Sequence, residues 1–524
     1  MGKHEQIWGA TWVVAVFSVL MIGAGAARDI FTASLFGASD AIDAFMIAFA
    51  VSICFYGVLA SVIDSAFLPL YAERLRDQDS HPSGLLLYIL LAVSAFLIAV
   101  TVVLIMLVPL YMPLVARGFS GSKLLLAERL CQALLVLVFL NGLAGLLKAV
   151  HNAHLRFALP SLGNVVVPLC ALLFLFLLRD RMGVWTLVWG TIAGAFVRLV
   201  VMAPFVLGRI REVPLSARRG TELKTMLVFS SLAIPLLLSA ILTQANAVVI
   251  QSVASTLERG TVASLAYADR VFQVPVNLIA LTLWSSAFPF LSHAWECHEL
   301  EKFRGTLSWA SRLILMVAIP LAAVFVFGGQ EIVRLLFMRG AFDAQAAHST
   351  GLVLSISGIG LAPVCWGYVF GRALQATRRM WAFAGVSLLN VTLNGVGCVL
   401  LSRWWGIAGI AASGVITFTF STGVLAFLLR RSTGFSLERT RWPLFGKVAI
   451  ASLAMVCTAR GLAWILSRMG VSSSEGGVVA GGSPWVVGVI VYAVFLLVLR
   501  VGEAKSVATR LLSWYRGASA SVRS

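Results

Sequence analysis

The chain is poor in charge and short of the residues that most chemistry uses. Only 12% of its 524 residues are Asp, Glu, Lys or Arg, about half the share of a soluble domain. Its seven cysteines, at positions 54, 131, 170, 297, 365, 398 and 457, are scattered through apolar runs with no CxxC pair. They read as helix-packing residues rather than a metal or redox centre. The sequence lacks GxxxxGK[ST], HExxH, GxSxG and a glycine-rich dinucleotide turn, which argues against an ATP-driven pump and against an enzyme. No cofactor is expected. No stretch between apolar runs is long enough for a folded soluble domain.

What is abundant is apolar. Hydrophobic residues make up 60% of the chain, material for about fourteen spans of about 20 residues each. The runs are rich in Leu, Val, Ile and Ala and lack the alternation of a barrel strand, so the spans are expected to be helices. They fall at about 7–27, 41–71, 85–110, 127–150, 158–178, 184–208, 226–252, 262–292, 310–328, 350–372, 381–402, 405–430, 445–467 and 483–500. The opening run, through Ala27, is read as the first span rather than a cleaved leader, because it is long enough to cross and everything after it is also membrane. With the N-terminus inside, 26 Lys and Arg fall on the cytoplasmic side and 13 outside. That bias predicts an even number of spans with both termini cytoplasmic. It also accounts for the net charge of +18 through anionic lipid, without nucleic acid.

The sequence repeats itself. Ser65-Ala66-Phe67-Leu68-Pro69 recurs as Ser286-Ala287-Phe288-Pro289-Phe290, and Lys148-Ala149-Val150-His151-Asn152-Ala153 as Arg372-Ala373-Leu374-Gln375-Ala376-Thr377, with Asn164 and Asn390 following. The expected organisation is a six-helix lobe over 1–220, a second over 221–432 in the same orientation, and two further helices with a basic tail over 433–524. Two parallel lobes suit an alternating-access carrier with its substrate at their interface.

Ionisable residues at membrane depth are functional candidates by default, since each costs at least about 2.5 kcal/mol near the bilayer centre without a partner or water. In the first lobe they are Arg28 and Asp29, Asp43 and Asp64; in the second, Asp269 and Arg270, just ahead of Pro275. Asp43, with Ser39 and Asp40, also suits a plain helix-capping role. Arg28 and Asp29 are adjacent, so they are expected to point to different sides. Arg198 and the row Gln244, Asn246 and Gln251 read as hydrogen-bonding links between helices. Arg28 and Arg270, one per lobe, would grip phosphate oxygens as planar forks. Asp64 is the candidate for ion coupling.

The run Ala27-Arg28-Asp29-Ile30-Phe31-Thr32-Ala33-Ser34-Leu35-Phe36-Gly37-Ala38, then Asp43-Ala44-Phe45, Ala66-Phe67-Leu68-Pro69-Leu70-Tyr71-Ala72-Glu73 and Tyr267-Ala268-Asp269-Arg270 before Pro275, resembles the MurJ/MviN lipid flippases. The resemblance implies a carrier that turns a diphosphate-linked peptidoglycan precursor, lipid II, from the inner to the outer leaflet of a bacterial cytoplasmic membrane. It implies that Arg28 and Arg270 bind the diphosphate, with Asp29, Asp43 and Asp269 in the same cavity. A lipid-linked saccharide, membrane lipids and the enzymes of cell-wall or polysaccharide synthesis are the partners implied. The chain departs from the family pattern at Ile22, Tyr56 and Gly57, where arginines are usual, and at Ala263 and Gln273, where a serine and a glutamate are. A flippase for another lipid-linked oligosaccharide, or a MATE-like cation-coupled exporter favoured by Asp64, are the alternatives.

Overall fold

A computed structural model describes residues 3–62, 82–154, 156–211, 241, 244–377, 379–435, 441–468 and 477–499. Among these the fold is all helix. In chain order the helices are α1 (Lys3–Phe36), α2 (Asp40–Val62), α3 (Pro82–Val115), α4 (Gly121–Leu134), α5 (Val136–Ala153), α6 (Ala158–Met182) and α7 (Trp185–Arg211). After a helical stretch at 244–255 come α8 (Thr261–Glu296), α9 (Leu300–Phe337), α10 (Ala344–Ile359), α11 (Leu361–Ala376), α12 (Met380–Thr433), α13 (Arg441–Arg468) and α14 (Gly477–Val498). Nine helices among the described residues are long and apolar enough to cross a membrane, or ten when α10 and α11, bent by 53°, count as one span. The expected fourteen are not all separable here. The run at 226–252 lies largely outside the described residues, while the runs at 381–402 and 405–430 are two helical arms that meet at Gly406, together labelled α12.

That long helix doubles back. Gly406 holds φ 54° and ψ −130°, a left-handed conformation that a side chain resists. Beyond it the chain returns against itself, so a Cβ on Gly409 would collide with the Leu401 carbonyl. Asn390 Nδ2 donates to Ser421 Oγ at 3.1 Å across the two arms. The exposed tip carries Trp404, 82% exposed, and Trp405. Gly183, between α6 and α7, has φ 53° and closes the matching hairpin, where Gly190 and Gly194 bring the backbones together. A Cβ on either would come within 2.8 Å of Ala171 Cα or 2.7 Å of Val167 Cα. Lipid supplies no hydrophobic drive between helices, so close packing at small residues holds the arms together.

Gly183 and Gly406 are separated by the same length of chain as Gly37 and Gly260, and all four have positive φ. The repeat seen in the sequence therefore extends to backbone conformation at its turns.

The chain divides into two compact units. The first comprises 1–266, 339–346 and 394–399; the second comprises 267–338, 347–393 and 400–524. Within the second, α13 and α14 pack on α9. Met316, Val448, Ala451, Met455, Val456, Tyr492 and Leu496 form a buried cluster, and the Tyr492 hydroxyl donates to the Met316 carbonyl at 2.6 Å. Arg460 donates to Glu331 at 2.7 Å. The two extra helices are thus built onto the second unit, while Ile450, Leu453, Trp464, Val486 and Ile490 face outward, as lipid-facing apolar side chains do.

Candidate functional site

The densest polar construction in the first unit lies where α2 and α8 begin. Asp43, in the first turn of α2, is 1% exposed. One carboxylate oxygen accepts from the Gly260 amide at 2.8 Å and from Lys123 Nζ at 2.9 Å. The other accepts from the Ala263 amide at 2.9 Å. The opening turn of a helix leaves amides unpaired, so Asp43 caps α8 from another segment of the chain and places its charge at the positive end of that helix. Asp40 extends the cluster outward to Lys123 at 2.7 Å and to Arg259 at 3.1 Å.

Two straps flank this cap and mirror one another. Arg117-Gly118-Phe119 recurs as Arg339-Gly340-Ala341-Phe342, at nearly the offset that relates the turn glycines. A Cβ on Gly118 would strike the backbone carbonyl of Ser255, and one on Gly340 would strike that of Ser34. Ser34 and Ser255 stand at close to the same offset from each other. The Ala341 amide donates to the Ser34 carbonyl at 2.8 Å. Each strap therefore lies on the end of the helix belonging to the other half of the repeat. The RGF and RGAF strings are the sequence signal for this exchange.

Arg28 and Asp29 do not point apart. Arg28 Nη2 and Nε both reach Asp29 Oδ1, at 2.6 and 3.0 Å, and the Arg28 side chain is 15% exposed. The adjacent-residue expectation fails because the arginine stem is long enough to fold back, and an ion pair is the cheaper state away from water. In the second unit, Asp269 and Arg270 are exposed on α8, which stays helical through Pro275. Asp269 Oδ1 accepts from Gln273 Nε2 at 3.2 Å. Asp64 lies outside the described residues.

A second polar group of the first unit gathers around Arg198. Its Nη2 donates to Asn141 Oδ1, its Nη1 lies 3.4 Å from Asn164 Oδ1, and the Tyr56 hydroxyl is a third partner. These residues come from α7, α5, α6 and α2. Gln244, against Gly57, adds a polar side chain next to Tyr56. Asn246 accepts from Asn394 Nδ2 at 2.7 Å, so this member of the polar row links segments of the first unit, whereas Gln251 Oε1 is buried without a hydrogen-bond partner.

A family model described as lipid II flippase MurJ matches residues 32–475. The chain belongs to the lipid II flippase MurJ family. It is 27% identical over 451 residues to a probable lipid II flippase MurJ of Rhizobium meliloti, covering 82% of this chain and 80% of that protein. To the lipid II flippase MurJ of Burkholderia cenocepacia it is 26% identical over 371 residues, 68% and 71% of the two chains. The fold matches a solved lipid II flippase MurJ in an inward closed conformation with a TM-score of 0.77, at 19% identity over 92% of this chain and 97% of that one. A multidrug resistance MATE family transporter of the MOP superfamily matches with a TM-score of 0.70, at 14% identity over 79% and 94%. Family membership and the apolar helices together make this a multi-pass protein of the bacterial inner membrane, in a family of transporters.

Proposed function

We propose that this protein moves lipid II, the undecaprenyl-diphosphate-linked peptidoglycan precursor, from the inner to the outer leaflet by alternating access, with both termini cytoplasmic and without catalysing a chemical step. The observation that carries this reading is the family match across residues 32–475, which takes in the charged segments of both units except Arg28 and Asp29, just upstream.

In this reading Arg28 and Arg270 hold the diphosphate. A guanidinium stays charged in a site of low dielectric and binds paired oxygens. Asp29 occupies Arg28 until cargo displaces it, which keeps the empty site from presenting a bare cation to hydrocarbon. Asp269 plays the matching part beside Arg270. Asp43 closes the end of the cavity by tying α2 to α8, and Asp64 is the group through which ion movement couples. The lipid tail stays in the bilayer. Enzymes that supply the precursor or polymerise it are the protein partners this cargo calls for.

The test is reorientation of labelled lipid II in proteoliposomes. Wild-type protein is expected to move it, and Arg28→Ala or Arg270→Ala to slow it at least roughly tenfold, the cost of a lost charge-assisted pair. Lipid II left stationary by the wild type would overturn the reading. Movement of a different lipid-linked oligosaccharide alone would replace lipid II as cargo.

A further inference from the structure

Arg198 sits where an arginine needs a reason. It is the fourteenth residue of the 27-residue helix α7, about 20 Å from either end at 1.5 Å per residue, too deep for its side chain to reach either surface. Its place is built. Gly163 of α6 leaves room for the stem, since a Cβ there would lie 2.6 Å from Arg198 Cγ and 3.2 Å from Cδ. The head meets Asn141, Asn164 and Tyr56, all neutral, and no carboxylate among the described residues is paired with it. Arg28, by contrast, carries its counter-ion with it. Nε of Arg198 is buried with no hydrogen-bond partner, so the five-donor fork is not used up by its neighbours.

Bracing the hairpin does not explain the charge. By the offset that relates the two turn glycines, Gly183 and Gly406, the counterpart of Arg198 in the second hairpin is Ser421, and it accepts from Asn390 at 3.1 Å. A neutral pair holds those arms together; the first hairpin has an arginine instead. Asn164 is exposed, so the group is open on that side to a molecule that can take up its free donors.

We propose that Arg198, framed by Tyr56, Asn141 and Asn164, is a binding group for phosphate oxygens of the transported headgroup. The missing counter-ion arrives with the cargo. This rests on the flippase reading and adds a cationic contact inside the first unit that is separate from Arg28.

The test measures lipid II reorientation in proteoliposomes against lipid II concentration, with thermal unfolding alongside. Arg198→Gln is expected to raise the half-saturating concentration roughly tenfold or more. On that background Tyr56→Arg, which returns a cation from the facing helix, is expected to recover most of the loss; a structural strut would not be rescued in this way, and failure of rescue overturns the proposal. Should Arg198→Gln not fold, Gly163→Ala keeps the charge but pushes the stem aside, with a several-fold rise expected and no change overturning the proposal. Undecaprenyl diphosphate and inorganic pyrophosphate serve as binding probes. Tenfold weaker binding of the lipid by Arg198→Gln supports the assignment, whereas equal Arg198-dependent binding of pyrophosphate alone assigns the site to a soluble anion and overturns it. If the wild type moves no lipid II, the flippase reading itself fails; if the wild type moves it and Arg198→Gln does so with unchanged half-saturation, only this inference fails.

Discussion

The two hairpins, α6 with α7 and the two arms of α12, turn on glycines of nearly identical conformation, yet one is cross-linked through Arg198 and the other through Ser421. The helix starts at Asp40 and Thr261 differ in the same way. The first carries Asp40 and Asp43; at the corresponding positions of the repeat the second carries Ala263 and Ala266 and takes its cap from Asp43. A repeat needs the same turns in both copies, because turns fix the path of the chain. Charge is free to differ, and at these positions it is concentrated in the first copy. Where two copies of one architecture diverge in ionisable residues, packing is a poor explanation for them.

That contrast can be broken most severely at Asp43. Asp43→Ala strips a buried cap and leaves Lys123 without its inner partner, so a loss of about 3–5 kcal/mol is expected, read as a lower unfolding temperature in detergent. Adding Lys123→Met should cost only about 1 kcal/mol more, since Lys123 keeps Asp40 as its half-exposed partner. The straps come next. Gly118→Ala meets the harder collision, against backbone atoms of both Ser255 and Thr256, whereas Gly340→Ala meets a milder one at Ser34 and adds a φ of 59°, so each should cost at least about 1–3 kcal/mol; no loss from Gly340→Ala would show that the turn itself carries no strain. Ser421→Ala removes one neutral hydrogen bond, about 1 kcal/mol, and is expected to leave the half-saturating lipid II concentration unchanged, in contrast to Arg198→Gln. Smallest of all, Arg259→Ala breaks a half-exposed ion pair with Asp40 worth at most about 1 kcal/mol, and the difference should vanish at high salt.

Much of this is legible in the sequence, for physical reasons that also mark the limit. A span must be long and apolar, so composition alone reveals it. A repeat leaves matching strings at its turns. The capping tendency of Asp43 is visible in its first-turn position, but not the helix it caps, because Gly260 and Ala263 lie far downstream in the chain and a backbone amide has no sequence signature. The Arg28–Asp29 pair escapes the sequence because a rule for where side chains emerge does not hold for one long enough to bend back. Arg198 is visible as a charge in a span, but its distinction from a simple brace comes only with Ser421 beside Asn390 in the second hairpin.

The tryptophans at the α12 turn have a mechanical meaning. Trp404 and Trp405 cap a reversal whose arms are otherwise oily, and indole rings favour the zone between headgroups and acyl chains. Such a turn acts as a float, fixing how deep the hairpin rides while the rest of the protein works. Brominated lipids carrying the halogen near the glycerol backbone would then quench these two indoles more strongly than lipids brominated near the chain end.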